Sequence, residues 1–161
     1  MPKITLRKIK TIDKEYFSRW WRDKNLLKLT SGVLRRISDK EVDRYFRNIL
    51  KSKKDRHLLI TLNKNIIGHI SLVKRRNGWY ETQIVIGNKR YWGKGYGSKA
   101  IKLLIRKAKL LGVFNIYLEV RPTNIRAIRA YERCGFKKIK VLLYPKNKFL
   151  PKILRMEIKL E

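Results

Sequence analysis

The sequence holds one cysteine, Cys134, among 161 residues, which excludes a disulfide framework and a multi-thiolate metal centre. It is poor in acid: twelve Asp and Glu stand against 42 Lys and Arg, giving a formal charge of +30. The two histidines, His57 and His69, are too isolated in sequence to build a metal site and are expected on sheet faces. No stretch approaches the roughly 18 uninterrupted apolar residues of a membrane span. The opening M-P-K-I-T-L-R alternates charged and apolar side chains and lacks the apolar centre of a secretory leader. There is no repeat, no Pro- or Ser-rich linker and no low-complexity segment. The expectation is a cytoplasmic chain, one domain over residues 1–161, with no metal and no membrane contact.

The positive charge is spread along the whole chain rather than gathered in a tail. Such a field attracts polyanions such as nucleic acid, a ribosome surface or phosphate-rich ligands, and it repels a free polycation. Solvated surface from a Lys- and Ile-rich proteome gives the same composition, so charge alone does not choose a partner.

Apolar periodicity divides the chain. Residues 3–10 alternate as a strand. From Asp13, read as an N-cap, the pattern turns helical, with Tyr16, Phe17, Trp20 and Trp21 at core spacing. Leu26–Thr30 reads as a short helix ended by Gly32. Ser38 to Glu41 is a capping box opening a helix through Lys51, with Val42, Tyr45, Phe46, Ile49 and Leu50 on one face. Strands His57–Leu62, Ile66–Arg75 and Trp79–Ile86 follow, joined at Asn63-Lys64-Asn65 and Asn77-Gly78. Ser98–Leu111 is an amphipathic helix stopped by Gly112, Asn115–Val120 a buried strand, and Asn124–Arg133 a helix closed by Gly135. Phe136–Tyr144 and Ile153–Leu160 are the last strands. The fold class is α/β of the α+β kind: a mixed, mostly antiparallel sheet of about seven strands, about four flanking helices, and one β-α-β crossover.

That crossover carries the sharpest local signal. The apolar run Ile84, Val85, Ile86 stops at Gly87, and glycines recur at 93, 95 and 97 before Ser98 opens the helix. Glycines let a ligand approach the backbone, and the free N–H groups of a helix start make an anion site. Lys89, Arg90 and Lys94 add charge, so a phosphate or pyrophosphate is the expected guest. The spacing matches neither the nucleotide P-loop nor the dinucleotide fingerprint.

Two segments resemble the GNAT N-acetyltransferase superfamily. R-Y-W-G-K-G-Y-G (Arg90–Gly97) resembles its Q/R-x-x-G-x-G/A acyl-CoA loop. L-E-V-R-P-T-N-I-R-A-I-R-A-Y-E-R-C-G-F (Leu118–Phe136) resembles its second signature. The resemblance implies direct transfer of an acetyl group from acetyl-CoA to an amine. It places the pyrophosphate on Arg90, Tyr91, Trp92, Gly93, Lys94, Gly95, Tyr96, Gly97 and Ser98, and the pantetheine along Ile84, Val85 and Ile86. Asn124 follows as a further contact, also being a good helix N-cap; Arg126, read from its helical spacing with Arg129 and Arg133 as part of a solvated face, is also a candidate contact for the cofactor's 3′-phosphate or an acidic partner. Tyr131 would protonate the departing thiolate, and Glu119 or Glu81 would serve as base. The L-E-V-R block, W-W-R-D (Trp20–Asp23) and I-L-R-M-E-I (Ile153–Ile158) resemble ribosomal-protein N-terminal acetyltransferases, which makes a protein α-amine the preferred acceptor; Lys152 departs from the acidic residue common there. Polyamine or aminoglycoside acetylation is the alternative, with a local acidic pocket from Asp23, Asp39, Glu41 or Glu81 set against the global field. A basic nucleic-acid-binding module that lost the chemistry is the third reading. Arg129 and Arg133 continue the spacing of Arg126 as a solvated face, and Cys134 reads as a small buried residue rather than a nucleophile.

Overall fold

A computed structural model describes residues 2–30 and 35–161; the expected stop at Gly32 lies outside the described residues. Seven strands form one sheet: β1 (Ile4–Lys8), β2 (Arg56–Leu62), β3 (Asn65–Lys74), β4 (Trp79–Ile86), β5 (Asn115–Val120), β6 (Lys137–Leu143) and β7 (Lys152–Lys159). Their order across the sheet is β1-β2-β3-β4-β5-β7-β6, and among the described strands the β4–β5 pair alone is parallel. The described helices are α1 (Lys14–Arg22), α2 (Lys24–Thr30), α3 (Asp39–Lys51), α4 (Tyr96–Leu110) and α5 (Ile125–Arg133), five rather than about four. None is long and apolar enough to cross a membrane.

Turn chemistry sets the hairpins as expected. Asn63 and Lys64 (φ 49° and 73°) and Asn77 and Gly78 (φ 57° and 75°) take the left-handed conformation that tight antiparallel reversals need. The Ser38 hydroxyl accepts from the Glu41 N–H while the Glu41 carboxylate accepts from the Ser38 N–H, closing the capping box at α3. On that helix Val42 and Phe46 are buried, whereas Tyr45 and Leu50 are exposed.

The sheet is covered on both faces. One face carries Ile60, Ile70, Ile116, Leu118 and Met156 beneath Ala100, Ile101, Leu104 and Ala108 of α4 and Ile128 of α5. The other carries Leu59 beneath Phe17 of α1 and Phe46 of α3. His57 and His69 are corrected here: they are not isolated but stacked, with Nδ1 of one 3.3 Å from Nε2 of the other. Their strands are neighbours, and residues two apart in register share a face. Burial first, and the neighbouring His57 ring second, push His69 down to about 3, so the ring is neutral core against Phe17.

Asp13 is a second correction. Its side chain does not cap α1. It turns back to accept from both Arg7 guanidinium nitrogens at 2.9 Å and from the Lys10 N–H at 2.6 Å, tying α1 to β1. Burial alone would raise its carboxyl, but the Arg7 hydrogen bond, the Lys10 N–H and both positive charges outweigh it and hold it below the usual range. Asp13→Asn is expected to destabilise the fold by about 3 kcal/mol, since it strands a partly buried guanidinium. In the native chain this stabilisation is present above the ordinary carboxylate pKa and is lost as pH falls through the depressed one. Thermal unfolding as a function of pH, wild type against variant, reads both.

Candidate active site

β4 and β5 part company early. They pair only at Trp79–Asn115, Tyr80–Ile116 and Glu81–Tyr117, while β4 keeps β3 on its outer side to Ile86 and β5 keeps β7 to Val120. The facing backbone edges of Thr82–Ile86 and Leu118–Val120 are therefore unpaired with each other and open a wedge toward the glycine loop. Trp92 fixes the wide end: its indole N–H donates to the Ile86 carbonyl at 2.9 Å, and the Arg126 guanidinium sits 4.2 Å from its ring centroid.

The wedge is the floor of a cleft of about 430 Å³. Ile84, Val85, Ile86, Tyr91, Trp92, Gly93, Gly95, Tyr96, Gly97, Ser98, Asn124, Arg126, Tyr131, Glu81 and Glu119, all singled out from sequence, line it together. Arg90 and Lys94 do not: Arg90 lies 4.7 Å over the Tyr91 ring, and Lys94 is exposed. The cationic groups at the cleft are Arg126, Arg121 and Arg133 instead. Leu26 and Leu29 of α2, with Leu150 and Ile153, also line it; nothing in their local sequence distinguishes them from core residues.

At one end stands the start of α4. Its N-cap is Gly95 at φ 82°, which offers no side-chain acceptor, so the first N–H groups of the helix stay available. A missing cap costs about 1 kcal/mol, while burying Ile101 and Leu104 contributes about 1.5–3 kcal/mol each. Packing holds the helix, and its N-terminus is left to an anion. Two buried hydroxyls that line the cleft, Thr82 Oγ1 and Ser98 Oγ, have no hydrogen-bond partner among the described residues. Such orphans are rare in folded proteins and fit a ligand with amides and phosphates. Asn124 caps α5 through its side-chain oxygen to the Ala127 N–H at 3.4 Å, so its capping role is realised.

Tyr131 lines the same cleft, its ring edge-on to Phe136 at 6.1 Å. Burial first, and the Cys134 thiol second, push its hydroxyl well above the ordinary range of a phenol; it remains a proton donor. Cys134 itself is half-buried, with its thiol toward the Ser98 carbonyl at 3.5 Å.

At the far end, on the opposite sheet face, the two carboxylates differ. Glu81 is buried and fully engaged: Arg75 donates from Nε at 2.8 Å and forms an ion pair at 2.6 Å, while the Tyr117 hydroxyl and the Gln83 amide each lie at 3.3 Å. Glu119 has no ion pair among the described residues. Desolvation first, then the charge of Glu81, raise its carboxyl, with Arg155 and Arg75 opposing. Arg155 is occupied, 3.8 Å over the Tyr117 ring and bonded to Glu157 at 3.3 Å. Of the acidic residues suggested as a pocket, Glu81 alone lines the cleft; Asp39 and Glu41 pair with Arg22 and Arg35, and Asp23 belongs to a neighbouring hollow.

Residues 3–137 match the family model described as acetyltransferase (GNAT) domain. The chain belongs to that family. A GNAT relative, the spermine/spermidine N(1)-acetyltransferase of Bacillus subtilis, is 48% identical over 50 residues, 30% of this chain and 33% of that enzyme. The aligned part thus spans a third of that relative's length. The aminoglycoside N(6')-acetyltransferase type 1 of Klebsiella pneumoniae is 25% identical over 152 residues, covering 84% of this chain and 74% of the enzyme. The GNAT fold also matches the crystal structure of spermidine N-acetyltransferase from Vibrio cholerae in complex with CoA and spermine, with a TM-score of 0.84 at 23% identity over 97% of this chain and 95% of that one.

Proposed function

We propose that this chain transfers the acetyl group of acetyl-CoA directly to a primary amine of a small, amine-bearing molecule of the polyamine or amino-sugar kind. The observation that carries the reading is a continuous cleft from an uncapped helix start, past Tyr131, to Glu119. Bound acetyl-CoA supplies an activated acyl group on a thiol leaving group. The α4 N–H groups and Arg126 would hold its phosphates, Thr82, Ser98 and the open β4 edge its amide arm, and Tyr131 would hold a proton at the departing sulfur.

Glu119 is the base of this proposal, since Glu81 is committed to Arg75 and Tyr117. An alkyl amine with a pKa near that of lysine, about 10.4, is neutral at only a few parts in ten thousand at pH 7. A carboxylate with a raised pKa at the acceptor end both attracts the ammonium and takes its proton.

The resemblance to ribosomal-protein acetyltransferases favoured a protein α-amine, and the +30 field, which repels a polycation, agreed with it. Two considerations reverse that preference. The relatives with named substrates act on small amines. Screening confines charges to about 8 Å at physiological salt, so lysines on distant helices govern the cleft less than Glu119 does.

The test is steady-state kinetics with acetyl-CoA and three acceptors: spermidine, an aminoglycoside, and a peptide with N-terminal alanine. The expected result is a small amine preferred over the peptide by about tenfold or more in kcat/KM. Its acid limb should lie above the ordinary glutamate value of about 4.3, because the base is lost on protonation and its pKa is raised. Glu119→Gln should remove that limb and lower kcat by about a hundredfold. Preference for the peptide returns the acceptor to a protein α-amine.

A further inference from the structure

The bases are spread along the chain, but the acids are not. Between residues 88 and 148 seventeen Lys and Arg stand with only two of the twelve acids, Glu119 and Glu132. α4 carries Lys99, Lys102, Arg106, Lys107 and Lys109 with no acid, all exposed, and none forms an ion pair with a described residue. α3 shows the usual arrangement for comparison: Asp39, Glu41 and Asp43 stand among its bases and pair with Arg22, Arg35 and Lys14.

Lys99, Lys102, Arg106 and Lys109 follow three- and four-residue spacing, which puts them in one row on the helix, opposite the buried Ala100, Ile101, Leu104 and Ala108. Like charges so spaced repel, and α4 has nothing of its own to relieve them. α5 packs beside it: the Cys134 thiol reaches the Ser98 carbonyl, and Lys102 and Arg133 both act on that thiol electrostatically. Arg129 and Arg133 are exposed on α5 and add their charge to the pair of helices. The row spans about 15 Å at 1.5 Å per residue, with steps of about 4.5–6 Å that suit a chain of phosphates.

We propose that the outer faces of α4 and α5 form a docking surface for the phosphodiester backbone of a nucleic acid, distinct from the cleft that opens at the start of α4. Phosphate contacts of this kind position without reading sequence. A membrane surface fits less well: no large apolar side chain is exposed between Lys99 and Lys109, and Leu110, Leu111 and Phe114 emerge only beyond the end of the row. The proposal does not depend on the acetyl-transfer reading.

The test compares two variants of equal net charge in the full chain. Lys102→Gln/Arg106→Gln/Lys109→Gln removes three of the four charges of the α4 row, and Arg44→Gln/Arg47→Gln/Lys51→Gln removes the same charge from α3. Fluorescence anisotropy with a labelled single-stranded RNA of about 20 nucleotides, over a salt series, is expected to show the α4 variant weaker by about tenfold or more. Its log–log salt slope should be shallower by about 2, three lost contacts at about 0.7 each. The α3 variant should stay within about twofold of wild type, and both variants should keep the wild-type melting temperature. Equal losses in the two variants overturn the proposal, since net charge alone would then explain binding. Tighter binding to phosphatidylserine vesicles than to RNA, lost in the α4 variant, also overturns it and makes the surface a membrane one.

Discussion

Gly95→Glu is expected to abolish acetyl-CoA binding while leaving the protein folded. A Cβ at Gly95 meets no atom within 4 Å, so a side chain has room. The cost is conformational, because φ is 82° and a residue with a side chain gives up about 1–2 kcal/mol in the left-handed region. Part of that is recovered, since a carboxylate beside the first turn of α4 satisfies the helix N-terminus by about 0.3–1 kcal/mol. The same carboxylate then occupies the position of the anion. Two like charges about 4 Å apart near a protein surface repel by about 4 kcal/mol, close to a thousandfold in affinity. Calorimetric titration reads the affinity and thermal unfolding the fold. Gly95→Ala separates the terms: it carries the strain without the charge and should lose less than about tenfold. If alanine loses as much as glutamate, loop conformation rather than anion repulsion controls the site. Wild-type affinity in Gly95→Glu places the phosphates elsewhere.

The sequence was most informative where one residue type answers one local demand. The glycines at 93 and 95 take positive φ, Asn124 caps α5, and Ser38 with Glu41 closes α3, each readable because the chemistry is confined to a few neighbours. The strand and helix bounds moved by only a residue or two for the same reason. What could not be read arises from pairing between distant segments. The wedge between β4 and β5 depends on register ending at Glu81–Tyr117, and no local pattern in either strand marks that point. Thr82 looks like an ordinary strand threonine until its hydroxyl is seen buried without a partner among the described residues. The different surroundings of the two glutamates were not legible from sequence because the residues that set them, Arg75, Tyr117 and Arg155, are contributed by three separate stretches. Asp13 misled for a related reason. Its capping potential was spent on Arg7, six residues back on another element.

Tyr131→Phe should lower kcat by about a hundredfold or more, with acetyl-CoA affinity changed by less than about twofold. The ring does the packing, edge-on to Phe136 and inside the core of α5, and phenylalanine keeps it. The hydroxyl does the chemistry in this proposal. Its proton is held far more tightly than in a free phenol, because the buried phenolate is poorly solvated. That makes Tyr131 a donor across the working pH range, so wild type should show no alkaline limb from this group. It also makes the donor a weak acid for a thiolate whose conjugate acid lies near 8.5. Complete transfer to a free thiolate is therefore uphill, and the hydroxyl acts by hydrogen-bonding the sulfur as the C–S bond breaks and negative charge builds on it. A structural role predicts the same deficit for every acyl donor. A proton-donating role predicts that the deficit shrinks as the leaving thiol becomes more acidic, because such a thiolate needs less help to depart. Single-turnover rates of wild type and Tyr131→Phe with acetyl thioesters of graded thiol pKa distinguish the two. A constant ratio between the enzymes across that series would remove Tyr131 from the chemistry and leave it as a core residue.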